Sequence, residues 1–210
     1  MRRIIKGQEP QSWREFRETP GVSYEAKPEL REALIREQGY ICAYCMQRIS
    51  LDRETHIEHM KSRKEYPGLQ LVYQNMVLCC TGNTKGNVHC DNRKGKRSIT
   101  FDLFSDTFFD TLSYSINANT VTIKSSNPVW DKEINDILNL NCNILKINRQ
   151  QVLNAVITTL GEKKDWNKNL RRLQQLRDRW DTKDAAGRYN EFCGVVVWFL
   201  NRRIAYGQTK

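Results

Sequence analysis

Hydrophobic residues recur with helical spacing near the start and toward the end of the chain, and with strand-like alternation between these parts. At the start, the pattern predicts a short strand over residues 1–6 and helices over residues 11–18 and 28–38. Pro28 suits the first turn of the second helix, and Gly39 suits the position after its last turn. We therefore expect the first part of the chain to be mainly helical.

The next part of the chain has short apolar stretches separated by polar loops. Residues 41–60 contain the stretches ICAYC and THIEHM, which predict two knuckle-like strands joined by a polar turn. A basic loop at 61–70 leads to another short apolar segment at 73–80, and a helix is predicted to begin near Asp91. Two alternating stretches around Asn-Ala-Asn predict a hairpin over residues 111–124.

Helical spacing dominates the rest of the chain. It predicts helices over residues 130–138, 148–160, 162–180 and 184–204. The last of these contains the longest apolar run, residues 192–200. Many helices with a few short strands indicate an α+β protein that is mainly helical.

The charge of the chain is basic and unevenly distributed. Among its 210 residues, 34 Lys and Arg stand against 24 Asp and Glu, which gives a formal charge of +10. Residues 41–100 carry 10 basic and 5 acidic groups, net +5, and residues 161–210 carry 12 and 6, net +6. A polyanion such as nucleic acid would complement these regions, although a solvated basic surface has the same composition.

Neither a membrane span nor a secretory signal is visible in the sequence. The longest apolar run has nine residues, whereas a bilayer span needs ~20. The N-terminal sequence MRRIIKGQEP has an apolar run of two residues, whereas a signal peptide needs about 7–15. We therefore expect a cytoplasmic protein with no membrane partner.

Clustered cysteines indicate a metal site. The chain has seven cysteines, an odd number that argues against a disulfide framework, and five of them fall within residues 42–90. Cys42 and Cys45 form a C-x-x-C pair, whose thiolates can bind one ion from a tight turn. A second pair would complete a structural zinc site with four thiolates. That pair is Cys80 and Cys90, with Cys79 or His89 as possible substitutes.

The cysteines allow two other interpretations, a redox-active pair and buried hydrophobic side chains. A thioredoxin-like redox pair is less favoured, because no βαβ pattern surrounds the C-x-x-C sequence. Cys142 and Cys193 lie in apolar surroundings far from the cluster and are predicted to be small buried hydrophobic residues.

The sequence between the cysteine pairs offers groups for phosphodiester cleavage, which needs a base to deprotonate water and a cation to stabilise charge. It reads His56-Ile57-Glu58-His59, and Asn75 follows sixteen residues later. A neutral imidazole suits the role of base. Carboxylate and amide oxygens suit Mg²⁺ or Mn²⁺.

As a set, these motifs resemble the HNH endonucleases over about residues 38–96. The resemblance rests on five motifs: Cys42-Ala-Tyr-Cys45, Ile57-Glu58-His59, Asn75, Leu78-Cys79-Cys80 and Cys90-Asp91-Asn92-Arg93-Lys94-Gly95. It implies a ββα-metal core with a zinc knuckle at residues 38–105. An N-terminal helical segment, 1–37, would precede this core. A small hairpin and a helical bundle at 106–210, for nucleic-acid or partner docking, would follow it.

The resemblance also implies roles for individual residues. His59 would be the general base, and Asn75 would brace the loop that orients it. Glu58 would be a ligand of the catalytic Mg²⁺ or Mn²⁺, and Asp91 would be a further ligand, with Asn92 as the alternative. A cluster of basic residues beside these motifs would contact the nucleic acid through its phosphates, unless it is only a solvated face. It comprises Lys61, Arg63, Lys64, Arg93 and Lys94.

A longer but looser resemblance is to the retron- and Septu-associated HNH nucleases, the PtuB-like proteins of phage defence. It adds the stretched second cysteine pair and the segment Leu-Asn-Leu-Asn-Cys at residues 138–142. It implies an antiphage effector gated by a PtuA-like partner ATPase, in a complex that could include a retron reverse transcriptase and its reverse-transcribed DNA. The sequence has no Walker-type loop, so the ATPase would be another chain.

The sequence leaves two questions open. DNA and RNA fit equally well as the substrate. The alternative to an enzyme is a non-catalytic, zinc-stabilised subunit that binds nucleic acid or a partner protein.

Overall fold

A computed structural model of the chain describes residues 1–52, 54–84, 86–161, 166 and 169–208. Its first two helices, α1 (Gln11–Glu18) and α2 (Pro28–Glu37), confirm the predictions for this part of the chain. The predicted strand over residues 1–6 is wrong. That segment has no ladder of strand hydrogen bonds; it is anchored by the Ile4 amide, which donates to the Leu103 carbonyl at 2.9 Å.

Only one of the two strands predicted within residues 41–60 forms. Strand β1 (Thr55–His59) pairs in antiparallel fashion with β2 (Met76–Cys80). Residues 41–49 instead form a tight turn closed by a single bridge between Ile41 and Arg48. Within this turn, the Met46 amide donates to the Cys42 carbonyl at 3.0 Å, which curls the backbone around the C-x-x-C sequence.

The insertion between Cys80 and Cys90 folds into a small hairpin. Two-residue strands, β3 (Asn83–Thr84) and β4 (Asn87–Val88), pair in antiparallel fashion. Gly82 has φ +70°, and a Cβ atom there would lie 1.9 Å from the carbonyl oxygen of His89. Only glycine therefore permits the close crossing that brings the two ends of the insertion together. Helix α3 (Cys90–Lys94) follows directly, as predicted near Asp91.

The C-terminal half begins with helix α4 (Asp106–Phe109) and the predicted hairpin, whose strands are β5 (Leu112–Ile116) and β6 (Val121–Ser125). Helix α5 (Pro128–Lys132) continues into a π-helical turn at Glu133–Ile137, which confirms the helical prediction there.

Three longer helices end the chain. They are α6 (Asn143–Leu160), α7 (Leu170–Asp181) and α8 (Cys193–Gln208). Helix α6 begins five residues before its predicted start at 148. Helix α7 confirms the later part of the prediction over 162–180, while residues 162–165, 167 and 168 lie outside the described part.

The predicted start of the last helix at residue 184 is wrong. Asp184 starts a turn instead, in which its carboxylate accepts the amides of Ala186 and Arg188 at 2.9 and 2.8 Å. Gly187 and Phe192 have φ values of 73° and 53°, outside the range of a right-handed helix. Apolar spacing alone could not detect these turn contacts.

Together these elements confirm the predicted α+β class, with helices and small antiparallel sheets. Buried side chains from α2, β2, α4 and α8 belong to one hydrophobic core cluster. Cys142 and Cys193 are buried, as predicted from their apolar surroundings. In the described part of the chain, no helix is both long and apolar enough to cross a membrane.

Gln38 connects helix α2 to strand β2. Its side-chain amide accepts from the Leu78 amide at 2.7 Å and donates to the Leu78 carbonyl at 2.6 Å, so it pairs with β2 as a neighbouring strand would. The same amide group donates to the Ile41 carbonyl at 3.0 Å, at the start of the cysteine turn. Because Gln38 is 3% exposed, water cannot replace these bonds.

Replacing Gln38 with leucine should lower the free energy of unfolding by about 3 kcal/mol, because it leaves the Leu78 amide and the Ile41 carbonyl without partners and removes one of the two hydrogen bonds to the Leu78 carbonyl. Urea unfolding followed by circular dichroism measures this loss. The control is Gln151→Leu, at an exposed position of α6, which should change stability by less than about 0.5 kcal/mol. Equal stability of the two variants would contradict the assigned role of Gln38.

Candidate active site and cysteine cluster

Four cysteine sulfurs meet in the core where the turn, β2 and α3 converge. The Sγ atoms of Cys42, Cys45, Cys80 and Cys90 all lie within 4.8 Å of one another. Cys42 and Cys45 come from the turn, Cys80 ends β2, and Cys90 begins α3. These are the four residues predicted from the sequence, and neither Cys79 nor His89 belongs to the group.

The spacing of the sulfurs fits a tetrahedral zinc ion. The distances between Sγ atoms are 3.9 Å for Cys42 and Cys90, 3.6 Å for Cys45 and Cys80, and 3.7 Å for Cys42 and Cys80. Zinc–sulfur bonds of about 2.3 Å in tetrahedral geometry place the sulfurs about 3.8 Å apart. Burial opposes ionisation of Cys42, but hydrogen bonds with the neighbouring thiols lower its pKa well below the usual value. The set therefore has the geometry of a closed, four-thiolate site.

His59 ends β1 in a largely buried position. Its Nε2 atom lies 3.0 Å from the Gln70 carbonyl oxygen, and Tyr24 packs edge-on at 4.6 Å between ring centroids. Burial lowers the pKa of His59 to about 4, so the ring is neutral at pH 7. Because a carbonyl only accepts hydrogen bonds, the neutral ring donates from Nε2. Its Nδ1 atom then keeps a free lone pair, as a base requires.

Asn75 holds the two segments that surround His59. Its side-chain oxygen accepts from the Lys61 amide at 2.8 Å, and its side-chain nitrogen donates to the Lys61 carbonyl at 2.9 Å. That nitrogen also lies 3.2 Å from the Leu69 carbonyl, next to the Gln70 carbonyl that His59 uses. Asn75 therefore ties the chain after β1 to the segment that orients the imidazole.

A buried network of charges surrounds Glu58. Its Oε1 atom lies 2.5 Å from the Lys94 ammonium, which is 1% exposed and also donates to the His59 carbonyl at 2.9 Å. Burial raises the pKa of Glu58 to about 8; Lys94 opposes this shift, and the neighbouring Asp91 carboxylate adds to it. Asp91 in turn lies 2.7 Å from Nδ1 of His56.

The charged network opens into one cavity of about 480 Å³. Of the predicted site residues, Glu58, His59, Arg63, Lys64, Asp91 and Lys94 line it. The other predicted residues of the catalytic and nucleic-acid sets do not: Asn75 supports His59 from outside the lining, and Lys61, Asn92 and Arg93 are also absent from it. The structure therefore brings most of the predicted reacting groups together. Of the two alternatives at the start of α3, Asp91 lines the cavity with Glu58 and Asn92 does not.

Lys94 differs from the sequence prediction. As a phosphate contact it would be expected on the surface, but it is buried and its ammonium is held by Glu58 and the His59 carbonyl. A cation placed between a carboxylate and the main chain stabilises the site itself and has few donors left for a ligand.

Several residues of the cavity wall received no direct role from the sequence, among them His56, Tyr24 and Arg31. His56 lies two positions before Glu58, so strand alternation puts both on one face of β1, and this signal could have identified it. Tyr24 and Arg31 come from the N-terminal part of the chain. No local pattern predicts their contact with β1, because it arises from tertiary packing.

The oxygen atoms of the cavity suit a hard divalent cation. Glu58 and Asp91 present two carboxylates close enough to perturb each other, with Lys94 as the buried cation beside them. Carboxylate oxygens are ligands that Mg²⁺ and Mn²⁺ prefer, and such ions commonly use one or two of them.

Comparison with known proteins gives two matches. The family model for HNH endonucleases matches residues 42–97, which contain the cysteine cluster, β1, β2 and α3. The chain is also 27% identical over 226 aligned positions to a protein of Escherichia coli named "Retron Ec83 putative HNH endonuclease". That alignment covers 84% of this chain and 82% of the relative. Residues 42–97 therefore match the HNH endonuclease family model, in a chain similar over most of its length to a retron-associated protein.

Proposed function

We propose that the protein is a metal-dependent endonuclease that hydrolyses phosphodiester bonds of nucleic acid. One observation carries the proposal: a neutral imidazole, His59, and two neighbouring carboxylates, Glu58 and Asp91, line the same cavity. Basic side chains with exposed positions, Arg63 and Lys64, stand beside them. This combination supplies a base, a cation site and phosphate contacts within the reach of one phosphodiester group.

In this mechanism, Nδ1 of His59 takes the proton from the attacking water, or from a 2′-hydroxyl if the substrate is RNA. Gln70 and Asn75 keep the ring in the required tautomer and orientation. Glu58 and Asp91 would hold Mg²⁺ or Mn²⁺, which when bound stabilises negative charge on the phosphate and on the leaving oxygen. With water as the nucleophile, the products carry a 5′-phosphate and a 3′-hydroxyl.

Phosphate contacts would fix the strand in the cavity without reading its sequence. Arg63 and Lys64 line the cavity together with Lys96 and Arg31. The Arg63 guanidinium lies 4.6 Å from the Tyr24 ring, which restrains its position. Lys61 and Arg93, which do not line the cavity, would contact phosphates further along the strand.

Zinc in the cysteine cluster would have a structural role. Four protein thiolates leave no open position for substrate, so the site stabilises the fold and performs no chemistry. We propose that β1, β2 and α3 form a ββα-metal unit within a nuclease core at 38–105. The segments 1–37 and 106–210 would flank it, and the latter would serve docking.

The biological role is proposed from the relative whose name refers to a retron. We propose that the chain is the nuclease effector of an antiphage complex that a partner ATPase gates. The complex could include a reverse transcriptase and its reverse-transcribed DNA. Co-expression followed by affinity purification should recover the ATPase with this chain, and recovery of this chain alone would contradict the gating proposal.

Metal analysis should find about one zinc per chain in the purified protein. Cys90→Ser should lose this zinc and most of its cooperative unfolding, because zinc binding contributes to folding free energy. Cys142→Ser is the matched control, since it changes a buried thiol outside the cluster and should keep the zinc. A folded, zinc-free wild-type protein would contradict the structural role.

Removal of the imidazole at residue 59 should abolish most cleavage. We expect His59→Ala to lower the rate in Mg²⁺ or Mn²⁺ by about 10²–10⁴-fold, because a general base contributes about that much. Gel assays on DNA and RNA, with the activating partners present, measure the rate, and zinc content with circular dichroism verifies the fold. Wild-type protein that binds nucleic acid but never cleaves it would instead support a non-catalytic binding subunit.

His56 is proposed as a positioning residue for Asp91, on the evidence of their 2.7 Å contact. His56→Ala should weaken Mn²⁺ binding by about 10- to 100-fold, as loss of a residue that orients a metal ligand generally does. His56→Gln, which can keep a hydrogen bond, should recover part of the affinity. Electron paramagnetic resonance counts bound Mn²⁺ in the zinc-loaded protein without any cleavage. Equal affinity in all three proteins would remove this role while leaving the nuclease proposal untouched.

A further inference from the structure

A second groove lies between strand β5 and one face of helix α8. It encloses about 370 Å³ and shares no lining residue with the cavity around His59. Its lining includes Tyr114, Ile116, Trp198, Arg202, Arg203 and Tyr206. Nothing in the proposed cleavage mechanism uses this groove, although its walls combine rings with cations.

Aromatic and guanidinium groups alternate along the groove. Trp198, Arg202 and Tyr206 are four residues apart, so they follow one line along α8. The Arg202 guanidinium lies 5.1 Å from the Trp198 ring centroid, and Arg203 lies 5.2 Å from that of Phe199. A guanidinium group at this distance from a ring can pack its face on the ring and still offer its N–H edge to a hydrogen-bond acceptor.

The groove has an excess of positive charge. Within the described residues, neither Arg202 nor Arg203 has a carboxylate partner, and no acidic residue lines the groove. On the adjacent helix α7, in contrast, Arg177 pairs with Asp178 at 2.6 Å. Two cations without a carboxylate partner among the described residues, beside the half-buried Trp198 ring and the exposed Tyr206 ring, complement a ligand that carries both negative charge and flat apolar surfaces.

An apolar cavity extends the groove from the shared residues Tyr114 and Trp198. Its two arginines are already neutralised, since Arg2 pairs with Asp181 and Arg3 pairs with Asp106. Its remaining wall includes Leu112 and Val197. Among the described residues that line the groove and the apolar cavity, the arginines without a carboxylate partner are therefore those of the groove, Arg202 and Arg203, and not those of the apolar cavity.

We propose that this groove binds single-stranded nucleic acid outside the catalytic cavity. Phosphates would contact Arg202 and Arg203, while unpaired bases would pack against Trp198 and the neighbouring rings. A strand with free bases fits better than a duplex, because paired bases do not expose their faces for stacking. Such a site adds affinity without sequence readout, and it would retain a strand whether or not the catalytic cavity cuts it.

The test measures binding to the full chain carrying His59→Ala, so that no strand is cut. Fluorescence anisotropy follows labelled single strands of DNA and of RNA between about 50 and 200 mM salt. Adding Arg202→Ala and Arg203→Ala should weaken binding and reduce the slope of log K against log salt by about 1.4, because each single-strand phosphate contact contributes about 0.7.

A matched pair of substitutions controls for general electrostatics. Arg171→Ala with Arg179→Ala removes the same charge from exposed positions of α7 that do not line the groove. This pair should leave the slope close to that of the parent. An equal reduction of the salt slope in both double variants would overturn the proposal, since the groove would then contribute nothing to binding beyond its net charge.

Trp198 provides a second, uncharged test. Trp198→Ala should lower the affinity about fivefold or more with an unchanged salt slope, because it removes a stacking surface and no charge. Circular dichroism verifies the fold, and the comparison of the Arg202/Arg203 variant with the Arg171/Arg179 control decides the question if the Trp198 variant does not fold. Unchanged strand binding in both groove variants, with loss only of a partner protein, would assign the groove to that protein and overturn the proposal.

Discussion

The contact among four cysteine sulfurs is the interaction on which the geometry of residues 42–97 depends. Cys42 and Cys45, Cys80, and Cys90 come from three separate parts of the chain, and their sulfurs lie within 4.8 Å of one another. The sheet that they join has two strands of five residues, which is too little structure to be stable alone in water. A clamp at this point fixes the end of β2 against the start of α3. Asp91 on α3 can then meet Glu58 on β1, the strand that pairs with β2.

Acidic and basic side chains that lie close together and are largely buried determine the chemistry of the cavity. Glu58 and Asp91 are neighbouring carboxyl groups, and burial raises the pKa of Glu58 to about 8 although the Lys94 ammonium beside it opposes this shift. His56 contacts Asp91 from the exposed side, and His59 stays neutral through burial. A divalent cation bound by both carboxyl groups would favour their ionised forms and balance their charge.

Local spacing in the sequence identified residues that come together better than it predicted the path of the backbone. The cysteine set, the Glu58-His59 pair and the α3 start were identifiable because metal ligands and a strand-borne motif leave local spacing signals. The strand expected around ICAYC was wrong because a tight turn satisfies its backbone. The roles of Lys94 and Tyr24 depend on contacts between residues far apart in the chain, which the periodicity and spacing of the sequence do not predict.

A crystal structure of the protein soaked with Mn²⁺ tests the central claim most directly, since anomalous scattering distinguishes manganese from zinc. The account predicts zinc among the four cysteines and Mn²⁺ bound by oxygens of Glu58 and Asp91, at about 2.1–2.2 Å, in the cavity beside His59. Manganese bound elsewhere, with Glu58 held only by Lys94 and no metal between the two carboxylates, would contradict it.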